Sequence, residues 1–182
     1  MPSVLQISLL IILFLIILII CTIIFHYLKK IYLHNKMLKS TIKLLHSDNL
    51  NTKNNLRKNV ISKVKNEPYD LYYETIRFHI YIKLINNYNK DPLYINNKYQ
   101  WVIKGSKKNK IIDINSFIDF KSDVKDKKEI IKLVIVYPNA SALLKYVNEV
   151  ELDIIYPNKD LYGVYVLTYE TIFNDKTIIN KK

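Results

Sequence analysis

The chain contains one long uncharged stretch near its start, VLQISLLIILFLIILIICTIIF at residues 4–25. Apart from Gln6, Ser8 and Thr22, its side chains are apolar. At about 1.5 Å per residue, a helix of this length measures roughly 33 Å, which matches a hydrocarbon core about 30 Å thick. We therefore predict a membrane-spanning helix over residues 4–25, preceded by a short N-terminus at residues 1–3.

A cleaved signal peptide and a buried core helix fit this stretch less well. A signal peptide begins with basic residues and ends with small residues at a cleavage site. Residues 1–25 contain no Lys or Arg, and Phe25 is followed by His26, Tyr27 and Leu28. A core helix of a small domain is rarely apolar on every face. We expect a signal-anchor that stays in the membrane as a single pass.

The charges after the stretch predict its orientation. Before the first acid, Asp48, the chain carries Lys29, Lys30, Lys36, Lys39 and Lys43. Basic flanks favour the cytosolic side, so we expect the C-terminal bulk in the cytosol or nucleoplasm and these lysines at anionic lipid headgroups. The single cysteine, Cys21, lies inside the span, so we expect no disulfide in the remainder of the chain.

The net charge of +12 is unevenly distributed. Residues 26–66 hold 10 Lys and Arg against one acid, whereas residues 67–182 hold 18 against 15. Most of the excess therefore lies next to the predicted span, where each basic side chain near an anionic leaflet contributes on the order of 1 kcal/mol. Attraction to a membrane surface explains this charge, and we do not expect nucleic acid as a partner.

Residues 26–47 form a basic juxtamembrane segment without Pro or Gly, so we expect the helix to continue out of the bilayer. Spacings of three and four residues, typical of a heptad seam, separate Leu28, Ile31, Asn35, Leu38, Ile42 and Leu45. One interpretation is a short parallel coiled coil that makes a homodimer. The other is an amphipathic helix that lies on lipid headgroups or packs against the protein's own domain.

Residues 48–66 are polar and rich in Asn, which predicts a linker. Within it, Leu56, Val60, Ile61 and Val64 are spaced for one further short helix. The linker leads to Pro68 and to a domain at residues 67–182.

The domain shows the two-residue period of strands. Alternation from Ile76 to Leu84 predicts a strand with one face on the core, and the nearly unbroken apolar run Ile130–Tyr137 predicts a central strand. Residues 99–103 and 111–114 predict a hairpin with a basic tip. Two more strands are predicted at 151–156 and 162–172, joined by a turn at Pro157, and short helices at 115–120 and 142–147.

These elements predict an α+β fold. The N-terminal transmembrane helix extends into a juxtamembrane helix, and a small β-rich domain follows with one or two short helices. Because the sequence has no long helical crossovers of the kind that connect parallel strands, we expect a mainly antiparallel sheet.

Few residues of the domain suit catalysis. His79 is the only histidine in residues 67–182, and Gly105 and Gly163 are the only glycines in the chain. A zinc site takes three or four suitable ligands, and phosphate-binding loops need several glycines. We predict no catalytic residue, no metal site and no cofactor, and therefore a non-enzymatic protein.

A row of carboxylates and a basic turn are the charged features of the domain. Glu149, Glu151 and Asp153 alternate, which places them on one face of a strand. Such a row either binds a cation or a partner, or is a solvated face paired with lysines across the sheet. The basic turn contains Lys107, Lys108 and Lys110.

Aromatic side chains are concentrated in the same domain. Of the 15 tyrosines, 13 lie in residues 67–182, together with the only tryptophan. Tyr and Trp are enriched in protein interfaces because they bury a large area and keep a polar tip. We predict partner contacts at Trp101, Lys107, Lys108, Lys110, Glu149, Glu151 and Asp153.

In anchor architecture and in its abundance of Lys, Asn, Ile and Tyr, the chain resembles single-pass envelope proteins of large DNA viruses with AT-rich genomes, such as insect viruses with oral infectivity factors. The resemblance implies a place in a virion envelope, among other envelope or membrane proteins. The leading hypothesis is a membrane-anchored structural or interaction protein that docks a protein partner through its Tyr-rich domain. A membrane-tethered enzyme using Asp, Glu and Tyr, and a membrane-tethered nucleic-acid binder, are the alternatives.

Overall fold

The computed structural model describes residues 4–47, 67–74, 77–106, 108–123, 127–157 and 159–174. The chain divides into two compact units, Met1–Lys39 and Ser40–Lys182. The predicted linker at 48–66, with its short helix, lies outside the described residues, as do Ile76 and Lys107.

Helix α1 spans Val4–Ser47 without interruption. The segment has no Pro or Gly, so every backbone N–H after the first turn can bond to the carbonyl four residues earlier. The predicted continuation of the anchor into a juxtamembrane helix is therefore present as one helix. Within the described residues, it is the single helix long and apolar enough to cross a membrane.

The described part of residues 67–174 contains ten strands and two short helices. The strands are β1 (Leu71–Glu74), β2 (Phe78–Asn87), β3 (Leu93–Ile95), β4 (Trp101–Lys104), β5 (Asn109–Ile112), β6 (Glu129–Pro138), β7 (Leu143–Tyr146), β8 (Leu152–Ile154), β9 (Asp160–Leu161) and β10 (Val164–Thr168). The helices are α2 (Asn115–Asp119) and α3 (Tyr169–Asn174).

The first sheet has the strand order β1-β2-β6-β10-β9. Its three middle strands run parallel, and β1 and β9 pair antiparallel at the two edges. The predicted central strand is β6, which lies third of the five. Both faces of the sheet are buried: Val134 and Val166 point to one face, and Ile82 and Ile135 to the other. Helix α3 packs on β6 and β10.

The second sheet has the order β5-β4-β3-β7-β8. Strands β4 and β5 form the predicted antiparallel hairpin, and β3 and β7 pair parallel. Its inner face joins the first sheet in one hydrophobic core that contains Trp101, Phe117 and Val134. The predicted helical turn after Asn115 is α2, whose Phe117 and Ile118 are buried in this core.

The prediction of a mainly antiparallel sheet is wrong, because both sheets are mixed. A parallel pair needs a crossover connection, which is usually a helix. Here the chain crosses from β2 to β6 through β3, β4, β5 and α2, and from β6 to β10 through β7, β8 and β9. Since strands of the second sheet serve as crossovers for the first, parallel pairing needs no long helix.

Three further predictions are corrected. Residues 142–147 are not a helix: Leu143–Tyr146 is β7, held by pairing with β3 and β8 on its two sides. The strand expected at 162–172 ends at Thr168, whose Oγ1 accepts a hydrogen bond from Thr171 N (3.0 Å) and caps α3. Strand β2 is expected from the sequence to bury one face, but it buries both, since Tyr81 and Ile82 point to opposite faces and are 3% and 0% exposed.

Two tight turns connect β8 to β9 and β9 to β10. Lys159 N donates to Tyr156 O (3.1 Å), which forms the turn predicted at Pro157. A second turn at Tyr162 and Gly163 joins β9 to β10, with φ of 58° and 81°. Two successive positive φ values characterise a type I′ hairpin turn, and glycine adopts that conformation without strain.

Candidate membrane anchor and docking surface

The apolar part of α1 exposes its side chains on every side. Its large hydrophobic residues from Ile7 to Phe25 are between 46% and 65% exposed. Burying one such side chain is favourable by about 1.5–3 kcal/mol, so a row of them is stable only in apolar surroundings. Thr22 Oγ1 donates to Ile19 O (2.7 Å), so this hydroxyl is satisfied within the helix.

The predicted lipid-contacting lysines follow on the same helix. Lys29, Lys36, Lys39 and Lys43 are exposed, and Lys30 lies on the helix with its side chain outside the described part. Lys29, Lys36 and Lys43 are seven residues apart, so they project from nearly the same side of α1. They form a basic stripe roughly 21 Å long.

The predicted pairing seam is helical along its whole length. Leu28 and Ile31 are 56% and 41% exposed, and Asn35 between the turns is exposed as well. Leu38 and Ile42 are half-buried, and the side chain of Leu45 lies outside the described part. Homodimerisation through this seam stays a prediction.

The outer face of the second sheet carries an apolar row, one residue from each of its five strands. Directly paired neighbours across the sheet are Ile111, Val102, Tyr94, Leu144 and Ile154. The middle three are half-buried, whereas the two end members, Ile111 and Ile154, are 78% and 55% exposed. Apolar side chains that are exposed next to one another on a folded domain offer a surface that another molecule can cover.

Lys104 and Tyr146 lie beside the apolar row, next to its member Tyr94. Lys104 Nζ is 4.0 Å from the ring centroid of Tyr94 and 5.5 Å from that of Tyr146. It donates to Tyr146 Oη (3.0 Å), and this hydrogen bond raises the pKa of Lys104. The ammonium group is therefore held against the sheet by cation–π contacts and one hydrogen bond.

The β7–β8 hairpin contains the predicted carboxylates. Glu149 lies in its exposed tip, Glu151 accepts a hydrogen bond from Asn148 Nδ2 (3.1 Å), and Asp153 in β8 pairs with Lys159 Nζ at 3.2 Å. No group of three or more potential metal ligands occurs among the described residues.

The other predicted partner contacts lie elsewhere. Trp101 is fully buried, and its Nε1 donates to Lys98 O (3.1 Å), so the prediction of a surface contact at this residue is wrong. Its position in an inward-facing strand register explains the burial. Lys108 is exposed in the β4–β5 hairpin and Lys110 Nζ donates to Asn86 O (3.0 Å). This hairpin and the carboxylates occupy opposite edges of the second sheet, so they do not form one site.

His79 is the buried member of a polar network at the β1–β2 edge. Its Nδ1 lies 2.6 Å from Tyr72 Oη, and the two rings stack with centroids 5.9 Å apart. Tyr72 Oη donates to Glu74 Oε2 (3.4 Å), and Glu74 forms an ion pair with Lys128. The hydrogen bond from Lys128 lowers the pKa of Glu74. With 3% exposure and these partners, His79 holds two strands together.

Lys132 is the one polar side chain in the apolar run that predicts the central strand. Its Nζ donates to Ile118 O (2.7 Å) and also to Phe120 O. These carbonyls lie at the C-terminal end of α2, where a helix leaves its last carbonyls without backbone partners. Burial lowers the pKa of Lys132. A sequence pattern does not reveal this role, because the carbonyls that need a donor come from a different element.

Comparisons of the chain with protein-family models, with curated proteins and with solved structures gave no match.

Proposed function

We propose that the protein is a single-pass, non-enzymatic membrane protein whose C-terminal domain binds a protein partner. The observation that carries the proposal is the all-round exposure of the apolar side chains of α1 between Ile7 and Phe25. In water this surface would be strongly unfavourable, whereas in a bilayer it is solvated and the helical backbone is satisfied internally. The second support is the exposed apolar row on the second sheet, which gives the domain a surface to bury.

The basic stripe supports an orientation. Lysines at 29, 36 and 43 follow the apolar part of α1 on one side of the helix. We propose that they bind anionic headgroups of the cytosolic leaflet, with the domain on the cytosolic or nucleoplasmic side. The resemblance in composition and anchor architecture supports a viral envelope as the membrane and other envelope proteins as neighbours.

Extraction of membranes with alkaline carbonate tests the anchor. The wild-type chain is expected to stay in the membrane pellet. The double substitution Leu13→Lys and Ile16→Lys places two charges in the span, at a cost of about 2.5–3.5 kcal/mol each, and should shift the chain to the supernatant. The control is Ile111→Lys, the same kind of substitution at an exposed apolar residue of the domain, and this variant should stay in the pellet. Release of the wild-type chain by carbonate would contradict the proposal.

Protease treatment of sealed microsomes tests the orientation. If the domain faces the cytosol, trypsin removes it without detergent. A domain that survives trypsin until the vesicles are opened with detergent faces the lumen, and the proposed orientation is then wrong.

A further inference from the structure

The apolar side chains of β8 lie on the exposed outer face of the sheet, and its carboxylates lie on the other face. Leu152 and Ile154 are 41% and 55% exposed, and the alternation is continued by Val150 at 91% and Tyr156 at 58%. Glu151 and Asp153 lie between them. Edge strands of soluble proteins usually carry charged residues or proline outward, which prevents other chains from pairing with them. β8 lacks this protection on its outer face.

Among the described residues, no strand pairs with the outer edge of β8. β8 is the last strand of the second sheet in the described part of the chain. Val147 N donates to Glu151 O (3.0 Å) and Ile155 N donates to Leu143 O (2.9 Å). In an antiparallel ladder, residues alternate between facing the partner and facing away. The backbone N–H and C=O groups of Leu152 and Ile154 therefore point away from β7, out of the sheet.

Charge selects among the possible occupants of this edge. Asp153 is paired with Lys159, whereas the carboxylates of Glu149 and Glu151 lie exposed at the hairpin. A second copy of the chain would place its own carboxylates against these, and like charges on paired strands are destabilising. An anionic membrane surface would be repelled for the same reason. A strand with basic residues on one face and apolar residues on the other complements both faces of β8.

We propose that β8 is extended by an added strand from a protein partner, an extended segment in which Lys or Arg alternates with apolar residues. The backbone of Leu152 and Ile154 supplies the hydrogen bonds, and Glu151 and Glu149 attract the basic side chains. The exposed apolar residues of β8 lie next to the apolar residues of the added strand. This inference rests on the proposed function, since it names the surface and the chemistry of the partner that the domain binds. Strand addition at an exposed edge is an established mode of peptide recognition.

Binding of synthetic peptides to the full-length chain tests the proposal. The chain is kept in micelles of an uncharged detergent, and empty micelles provide the background. One fluorescent peptide alternates lysine and valine, and its counterpart alternates glutamate and valine. Fluorescence anisotropy should show binding of the lysine peptide and binding at least about tenfold weaker for the glutamate peptide.

Two substitutions separate backbone pairing from non-specific attraction. Leu152→Pro removes an N–H that points out of the sheet, so the fold tolerates it, but the added strand loses a hydrogen bond and meets the proline ring. Affinity for the lysine peptide should fall about tenfold, whereas Leu152→Ala, which keeps the N–H, should weaken binding less than about threefold. Glu151→Lys should reverse the preference between the two peptides. The buried Trp101 reports by its fluorescence that each variant is folded.

Three results would overturn strand addition at β8. These are equal binding of both peptides, binding unchanged by Leu152→Pro, and self-association of the wild-type chain that Leu152→Pro abolishes while neither peptide binds. The last result would assign the edge to a second copy. Because resistance to carbonate is measured separately, failure of peptide binding by a chain that stays in the membrane counts against strand addition alone, and release by carbonate counts against the anchor.

Discussion

The two sheets of the domain use similar side chains in different surroundings. The first sheet is buried on both faces: Ile135 of β6 is fully buried. The second sheet is buried on its inner face and leaves apolar residues on its outer face, where Ile154 of β8 is 55% exposed. The same residue type therefore stabilises the fold in one sheet and is free to contact another molecule in the second. The domain therefore buries apolar side chains on both faces of the first sheet but on only one face of the second.

A matched pair of substitutions tests this difference most strongly. Ile135→Ala should lower the free energy of unfolding by about 2–5 kcal/mol, because it opens a cavity in a fully buried site. Ile154→Ala should change it by less than about 0.5 kcal/mol. Denaturant unfolding of the full chain in detergent micelles, followed by the fluorescence of Trp101, measures both. A large loss with Ile154→Ala would show that the outer face of the second sheet is needed for folding.

A second pair of substitutions tests a side-chain hydrogen bond in the first sheet, at Lys132 of β6. Lys132→Met keeps the length of the side chain but removes the donor for Ile118 O and Phe120 O. Leaving these partly buried acceptors unpaired should lower the free energy of unfolding by about 1–3 kcal/mol, measured by the same unfolding experiment. Lys121→Met, at an exposed lysine nearby, removes the same charge and should have little effect. Equal effects of the two changes would show that charge rather than hydrogen bonding matters.

The smallest expected change in the free energy of unfolding is for a substitution at the β1–β2 edge. The pKa of Glu74 is lowered by its hydrogen bond from Lys128, so the folded state holds the ionised form better than the unfolded state. The stabilisation is complete above the unfolded pKa of about 4.3 and is lost as the pH falls through the lower folded pKa. Glu74→Gln should therefore cost less than about 1 kcal/mol at pH 7, since the pair is partly exposed.

Unfolding curves of the wild-type chain and of Glu74→Gln across this pH range provide the measurement. The two stabilities should converge as the pH drops below about 4.3. Glu129→Gln, at the exposed start of β6, is the matched control for removal of one carboxylate. A difference between wild type and Glu74→Gln that persists at low pH would contradict the assignment to the ion pair.

Some elements follow from local sequence, and these were predictable. Helix α1 has an apolar pattern without breakers, β6 has a nearly unbroken apolar run, and the β4–β5 hairpin has two strands close in sequence. Each of these depends on neighbours along the chain. The direction of the sheets depends instead on which distant strands pair, and the sequence contains no signal for strands used as crossovers. Leu143–Tyr146 shows the same limit. The sequence predicts a helix there, but pairing with β3 and β8 makes the segment a strand.

The candidate docking surface was only half visible in the sequence. The alternation at residues 149–153 draws attention to the carboxylates, whereas the side chains between them, Val150 and Leu152, would ordinarily be assigned to the core. Their exposure follows from the position of β8 at an edge and from its register with β7, and neither is encoded locally. Trp101 illustrates the opposite case, since a residue type common in interfaces fills the core here.

The path of the chain between the sheets also governs how the domain is made. Strands β1 and β2 belong to the first sheet, β3 to β5 to the second, β6 to the first, β7 and β8 to the second, and the last two to the first. During synthesis, β6 therefore lacks its neighbour β10 until Thr168 has been added, long after α1 has left the ribosome. An internal cut anywhere between β2 and β10 would divide a sheet, so the domain must be completed as a whole. The first sheet, which contains the earliest strands of the domain, is therefore the last of the two to be completed.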